Sequence, residues 1–144
     1  MADLTMTANL IRPLPGAVVR RMTAGDTSYA GEAVYIASDG FVDRADANGS
    51  LTAIAYGIVI ADNDGGTVFA ATNRVDVVVF GPVTGYSSLT PGMPVYVSAT
   101  AGGMTIAPTD MGVGTYEMVV GMAESASVIF VNPYLPTTLG TAKS

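Results

Sequence analysis

Residues 31–45 read GEAVYIASDGFVDRA, and residues 92–107 read GMPVYVSATAGGMTIA. Laid side by side, Gly31, Val34 and Tyr35 sit 61 positions before Gly92, Val95 and Tyr96. One inserted residue later, Gly40 and Ala45 fall level with Gly102 and Ala107. Each stretch is a β-branched or aromatic run, then a turn signal (Asp39-Gly40, Gly102-Gly103), then a second apolar run, which is the pattern of a β-hairpin. Working outward, AYGIVIA (55–61) around Gly57 resembles VVGMAES (119–125) around Gly121. Each half then closes on an apolar strand running toward a proline, VDVVVFGP (75–82) and SVIFVNP (127–133). This self-similarity predicts two related β units, about 31–82 and 92–133, because neither alone could bury its apolar face.

The rest of the chain reads the same way. Short strands are predicted at 18–22, 33–38, 55–61, 75–80, 94–99, 104–108, 116–123 and 127–132. In VDVVVF, Val75, Val77 and Val79 point to one face and Asp76, Val78 and Phe80 to the other; YEMVVGMA puts Met118, Val120 and Met122 on one face. Asn48-Gly49 and Gly65-Gly66 offer further tight turns, and Pro91-Gly92 suits the centre of a type II turn. Turn signals interrupt every amphipathic run within about ten residues, so no long helix is expected. The fold expected is all-β, a small β-barrel or sandwich over residues 17–133 in one domain.

Bulk composition narrows the function. A chain of 144 residues can bury about 70% of its unfolded surface without staples. It is 49% hydrophobic and only 12% charged, against the usual ~25% charged. Its surface must therefore be built from Thr, Ser, Ala and Gly, with some apolar area covered by a partner. The net charge is −6, and the cations are Arg12, Arg20, Arg21, Arg44, Arg74 and Lys143. That scatter cannot form the cationic patch a nucleic acid requires, nor a polybasic membrane anchor. With no Cys and no His, disulfides, thiolate chemistry, Cys-based zinc sites and a Ser–His–Asp triad are excluded. No apolar run reaches 18 residues and the start lacks a basic leader, so neither a membrane span nor a signal peptide is expected.

Candidate sites reduce to scaffold. In IADNDGG (60–66), setting Gly65 at the sixth place of a calcium loop leaves Ile60 and Ala71 where oxygen ligands belong, so a turn is expected. Asp39, Asp43 and Asp46 flank a hairpin and read as solvated rather than as a glycosidic acid pair. A Ser–Lys pair would have to use Lys143, next to the C-terminus. GVGTYE (112–117) lacks the third glycine of a dinucleotide fingerprint. NGS (48–50) fits a glycosylation sequon without a route to a secretory pathway. Tyr35 and Tyr96 are expected at the core edge, and the eight methionines as gap-fillers. No cofactor and no metal is expected.

The ends differ from the body. Residues 1–16 carry Pro13 and Pro15 among Leu4, Leu10, Ile11, Arg12 and Leu14, which favours an extended path. Two readings of residues 4–14 stand open: a mobile terminus, or an arm that adds a strand to a partner's sheet. Residues 134–144 are expected to be an irregular tail.

The pattern GEAVYIASDGFVDRADA…AYGIVIADND, then VDVVVFGPVTGYSSLTPGMPVYVSATAGGMT, then VVGMAES…VIFVNP resembles the capsid decoration, or cement, proteins of tailed bacteriophages over residues 16–133. The resemblance implies a β-tulip-like body with no enzymatic activity that forms a homotrimer. Such a trimer would sit on the outer surface of the head and brace the major capsid protein. The protein would thus be made in the host cytoplasm and carried on the virion. Leu4, Leu10, Ile11, Arg12 and Leu14 would match the family's capsid-binding arm, which would leave the body folded if removed. Arg20, Arg21, Arg44 and Arg74 are the candidate ion-pair partners across oligomer or capsid contacts. Similar LTPGxxVYVS…GGMT hairpins also occur in phage fibre proteins, so a fibre or tail knob that binds a host receptor or glycan is the alternative.

Overall fold

The β-branched runs do become strands, and a computed structural model describes residues 3–133. Fourteen strands are present among them: β1 (Thr5–Met6), β2 (Arg12–Pro13), β3 (Val18–Thr23), β4 (Ser28–Tyr29), β5 (Ala33–Ile36), β6 (Val42–Arg44), β7 (Gly57–Val59), β8 (Val68–Phe69), β9 (Arg74–Thr84), β10 (Tyr86–Ser87), β11 (Pro94–Val97), β12 (Met104–Thr105), β13 (Val119–Ala123) and β14 (Val128–Val131). The only helical pieces described are single 3-10 turns at Ala8–Leu10 and Pro108–Asp110. Ten strands form one curled half-barrel sheet in the order β12-β11-β13-β14-β9-β7-β5-β6, with β2 and β3 also on β9. The pairs β1–β10 and β4–β8 stand beside it. The protein is all-β.

Both halves are hydrogen-bonded to one plan. In the first, Val34 lies opposite Gly57 and Tyr35 opposite Asp43. In the second, Val95 lies opposite Gly121 and Tyr96 opposite Thr105. These are the positions that the sequence alignment makes equivalent. The turn glycines Gly40 and Gly102 also match, both with positive φ (84° and 78°) that a side chain would resist. Gly57 and Gly121 are needed for a different reason. A Cβ on Gly57 would land on the carbonyl oxygen of Val78, and one on Gly121 on that of Phe130. In each unit the last strand presses its backbone against the glycine strand.

β9 joins the units. Val77 and Val78 are flanked by β3 and β7, whereas Val83 and Thr84 are flanked by β2 and β14. Alternation then sorts the core. The inner face of unit 1 (Val34, Val42, Val59, Val75, Val77) closes on Ala24 and Phe69 as one cluster. The outer face of unit 1 (Ala33, Ala45, Ile58, Val78) packs with the inner face of unit 2 (Val95, Val97, Val120, Ile129, Val131) as a second, larger one.

Three expectations change. Met118 and Val120 are buried, but Met122 is half exposed. The register shifts between Val95 and Tyr96, leaving Val120 as an extra residue in β13; such a bulge reverses the side-chain parity beyond it. Asn48-Gly49 is not a hairpin tip: it lies in a loop where the Asp46 carboxylate accepts hydrogen bonds from the Asn48 N–H and the Thr52 hydroxyl.

The N-terminal segment is the third. From residue 3 it lies along the chain's own sheet. β1 pairs with β10 and β2 with β9, the Leu4 N–H donates to Met104 O at 2.8 Å, and Leu14 N–H donates to Pro82 O at 2.9 Å. Ile11 is 0% exposed, inside the larger core cluster. A segment that supplies a core side chain is part of the body, so removing residues 1–15 would open the core rather than leave it intact. The expected tail, 134–144, lies outside the described residues, as does Lys143.

Ile11→Ala should therefore lower stability by about 2–5 kcal/mol, the cost of a cavity at a fully packed position, read as a shift of the urea midpoint. Gly57→Ala and Gly121→Ala should each cost about 1–3 kcal/mol in the same assay, since backbone must move to admit the methyl. Gly112→Ala, where a Cβ would meet nothing within 4 Å, should change stability by under about 0.5 kcal/mol.

Candidate functional site

The two units have matching strands but unlike outer faces. In unit 2, Pro94 pairs with Met122, Met122 with Phe130, and Phe130 with Pro82, so an apolar row crosses four strands. Phe80 adds to it: its ring meets that of Phe130 edge to face at 5.1 Å and 82°. Val18 lies opposite Phe80 on β3. Met122 is 50% exposed and Phe80 45%. The residues of unit 1 equivalent to Met122 and Phe130, namely Ile58 and Val78, are both at 0%, because unit 2 covers them. Beside Met122 and Phe130 lies an open groove of about 470 Å³, walled by Pro94, Val119, Ala123 and Glu124.

A second apolar groove, about 550 Å³, opens on unit 1 between Ile36, Leu51, Ile54 and Tyr56. Ile36 shares the inner face of β5 with Val34, since it pairs with the buried Val42. Its side chain is 46% exposed, whereas Val97, its counterpart in unit 2, is at 0%. The inner face of unit 1 is thus open at one end.

The candidate arginines are divided among several tasks. Arg21 pairs with Asp76 at 3.7 Å in a solvent-exposed bridge of little energetic weight. Arg44 lies 4.0 Å from Glu32 and 5.7 Å over the Tyr29 ring. Arg74 donates to the Thr23 hydroxyl at 3.2 Å and to Arg21 O at 3.4 Å. Arg12 donates to Asp62 O at 3.3 Å. Arg20 is exposed on β3 and has no ion-pair partner among the described residues. Of the N-terminal apolar residues, Leu10 is 56% exposed, Leu4 and Leu14 are half-buried, and Ile11 is enclosed. Leu14 lies beside the end of the unit 2 apolar row, its N–H donating to Pro82 O.

The acidic groups make structure locally. Asp62 Oδ1 accepts from the N–H groups of Asp64 and Gly66 at 3.0 and 2.6 Å, which folds the 62–66 turn. Asp39 Oδ1 accepts from Phe41 N–H at 2.9 Å at the β5–β6 tip. Burial raises the Asp43 carboxyl above its usual range, and Asp39 and Asp26 push it the same way. Burial also raises the Tyr35 hydroxyl, with Asp43, Asp46 and Asp39 adding to it. Tyr86 is buried, its hydroxyl pushed upward by burial and by Glu32, and it donates to Gly31 O at 2.8 Å. Glu32 sits against Gly102 where the units meet. Burial raises its carboxyl, opposed by Arg44 and by the Tyr29 N–H that it accepts at 3.1 Å. Among the described residues, no three acidic side chains gather as a metal site would require.

Met122 and Phe130 were missed as surface residues because methionine reads as filler and because the bulge is invisible in the alternation. A signal was present: unit 2 is apolar on both faces. No family model matches the chain, and no curated protein matches it in sequence.

Glu32 carries a pH test. Its folded-state value lies above the ordinary 4.5, so its ionisation opposes folding. The contribution of the neutral form is fully present below pH 4.5 and is lost as pH rises through the folded value. Glu32→Gln should therefore gain in melting temperature relative to the parent chain as pH is raised above 4.5, with a flat difference below it.

Proposed function

We propose that the chain is a viral structural protein of the capsid-decoration class, with no enzymatic activity, that binds as a homotrimer to the outer surface of a tailed-phage head. The observation that carries this reading is the apolar sheet face around Met122, Phe130 and Phe80, which no other described residue covers fully. A chain this poor in charge, holding such a face in solvent, gains by association with neighbours. The sequence resemblance over residues 16–133 supports the same partner, the major capsid protein.

The mechanism is adhesive. Each trimer would bury apolar side chains and sheet backbone against several capsid subunits at once, and the linked contacts would make the sum tight although each is weak. Binding only the expanded shell stabilises that shell by linkage and opposes internal pressure without touching DNA. Leu10, on the outside of the N-terminal segment, and Arg20, the cation without a partner in the described chain, are the residues of the original candidates left to contribute.

The test is co-sedimentation with expanded, undecorated heads assembled from the major capsid protein encoded in the same genome. Saturable binding, with three copies per bound unit by light scattering, is expected. A chain that ignores such heads and binds host cells instead would replace this reading with the fibre or tail-knob one.

A further inference from the structure

We propose that Asn48-Gly49 is a self-modifying site, at which the Asn48 side chain cyclises onto the Gly49 nitrogen and then hydrolyses to aspartate or iso-aspartate. The reaction needs a main-chain N–H that is free to attack, and a following residue with no side chain to shield it. Among the described asparagines, Asn48 alone has both. Its neighbour is glycine, and the Gly49 N–H donates to no acceptor among the described residues. Every other asparagine is followed by a residue other than glycine. The nitrogen after Asn63 is held, Asp64 N–H donating to Asp62 Oδ1 at 3.0 Å. So is the one after Asn9, Leu10 N–H donating to Thr7 O at 2.9 Å. Arg74, after Asn73, lies in the β3–β9 ladder, and Pro133, after Asn132, has no N–H. Asn48 is exposed, so water reaches it.

The atoms balance with water as the sole reagent. The Gly49 nitrogen bonds to Asn48 Cγ, the Cγ–Nδ2 bond breaks, and Nδ2 leaves as ammonia with the proton from Gly49. Water then opens the cyclic imide at either carbonyl. One opening leaves aspartate; the other routes the main chain through Cγ as iso-aspartate. Either product alters a contact between the units. Asn48 Nδ2 donates to Ala99 O at 2.9 Å, in the turn between β11 and β12. Next to it, Ala47 N–H donates to Ser98 O and Ala47 O accepts from Tyr116 N–H, both at 2.8 Å. Conversion removes the Nδ2 donor and sets a carboxylate against a carbonyl oxygen. A second carboxylate, Asp46, is already close, its Oδ1 accepting the Asn48 N–H at 3.0 Å. The joint between the units therefore weakens as the chain ages.

The test ages the full-length chain in mildly alkaline buffer at physiological temperature and digests samples with trypsin before and after. Residues 45–74 come out as one fragment that carries Asn48, Asn63 and Asn73. Fragmentation should place the mass change from amide to acid at Asn48 alone, and an iso-aspartyl methyltransferase should label it there. A single exposed hydrogen bond should slow the folded chain by no more than about tenfold against a free peptide of residues 45–52. Asn48→Gln should stay unlabelled, and Asn48→Asp should melt about 2–5 °C below the parent chain. An Asn48 that survives in the folded chain long after the peptide has converted would overturn the proposal. So would conversion of Asn63 or Asn73 at the same rate. An Asn48→Asp chain that melts with the parent would overturn the weakening of the joint.

Discussion

Two backbone contacts organise this molecule: Gly57 against the carbonyl oxygen of Val78, and Gly121 against that of Phe130. Neither glycine needs an unusual φ; each is needed because a methyl group would occupy the place of a neighbouring oxygen. The approach lets the glycine strand and the closing strand of each unit lie close enough for the sheet to curl. Without that curl the outer face of unit 1 could not enter the concave side of unit 2, and the larger core cluster would not exist. Packing of this kind is intolerant, since protein interiors have almost no spare volume.

The curl also divides the molecule's apolar surface unequally. Ile58 and Met122 hold equivalent positions, as do Val78 and Phe130, and their side chains are similar in polarity. Their exposures differ because only one unit has a second layer behind it. The inner face of unit 1 is closed by Ala24 and Phe69, so among the described residues it is the outer face of unit 2 that lacks a covering layer. The function proposed for this chain rests on that exposed apolar face.

Much of this was legible in the residues. The hairpins β5–β6 and β11–β12 were legible, because the repeat aligns their strands and turns; which strand lies beside each hairpin was not. The alternation in 75–78 correctly separates Val75 and Val77 from Val78, but it fails at Phe80, which is 45% exposed beyond the register shift that leaves Val79 as an extra residue. The segment around Ile11 was harder. Two prolines and a mixed composition look the same in a free arm and in an edge strand, and nothing local says that Ile11 has a hole in the core to fill. Met122 failed for another reason: one extra residue at Val120 reverses facing, and a bulge is created by the partner strand's register.

By itself, then, the amino-acid sequence determined the class of fold, the two units and their hairpin register, because strand propensity, turn chemistry and alternation act over a few residues at a time. Only the tertiary structure decided which apolar faces are covered, where Arg21 and Arg44 find their carboxylates, and that the N-terminal segment belongs to the core. Those outcomes depend on what lies across a gap from residues distant in the chain, and the same apolar side chain is core or surface according to whether a second layer is there to meet it.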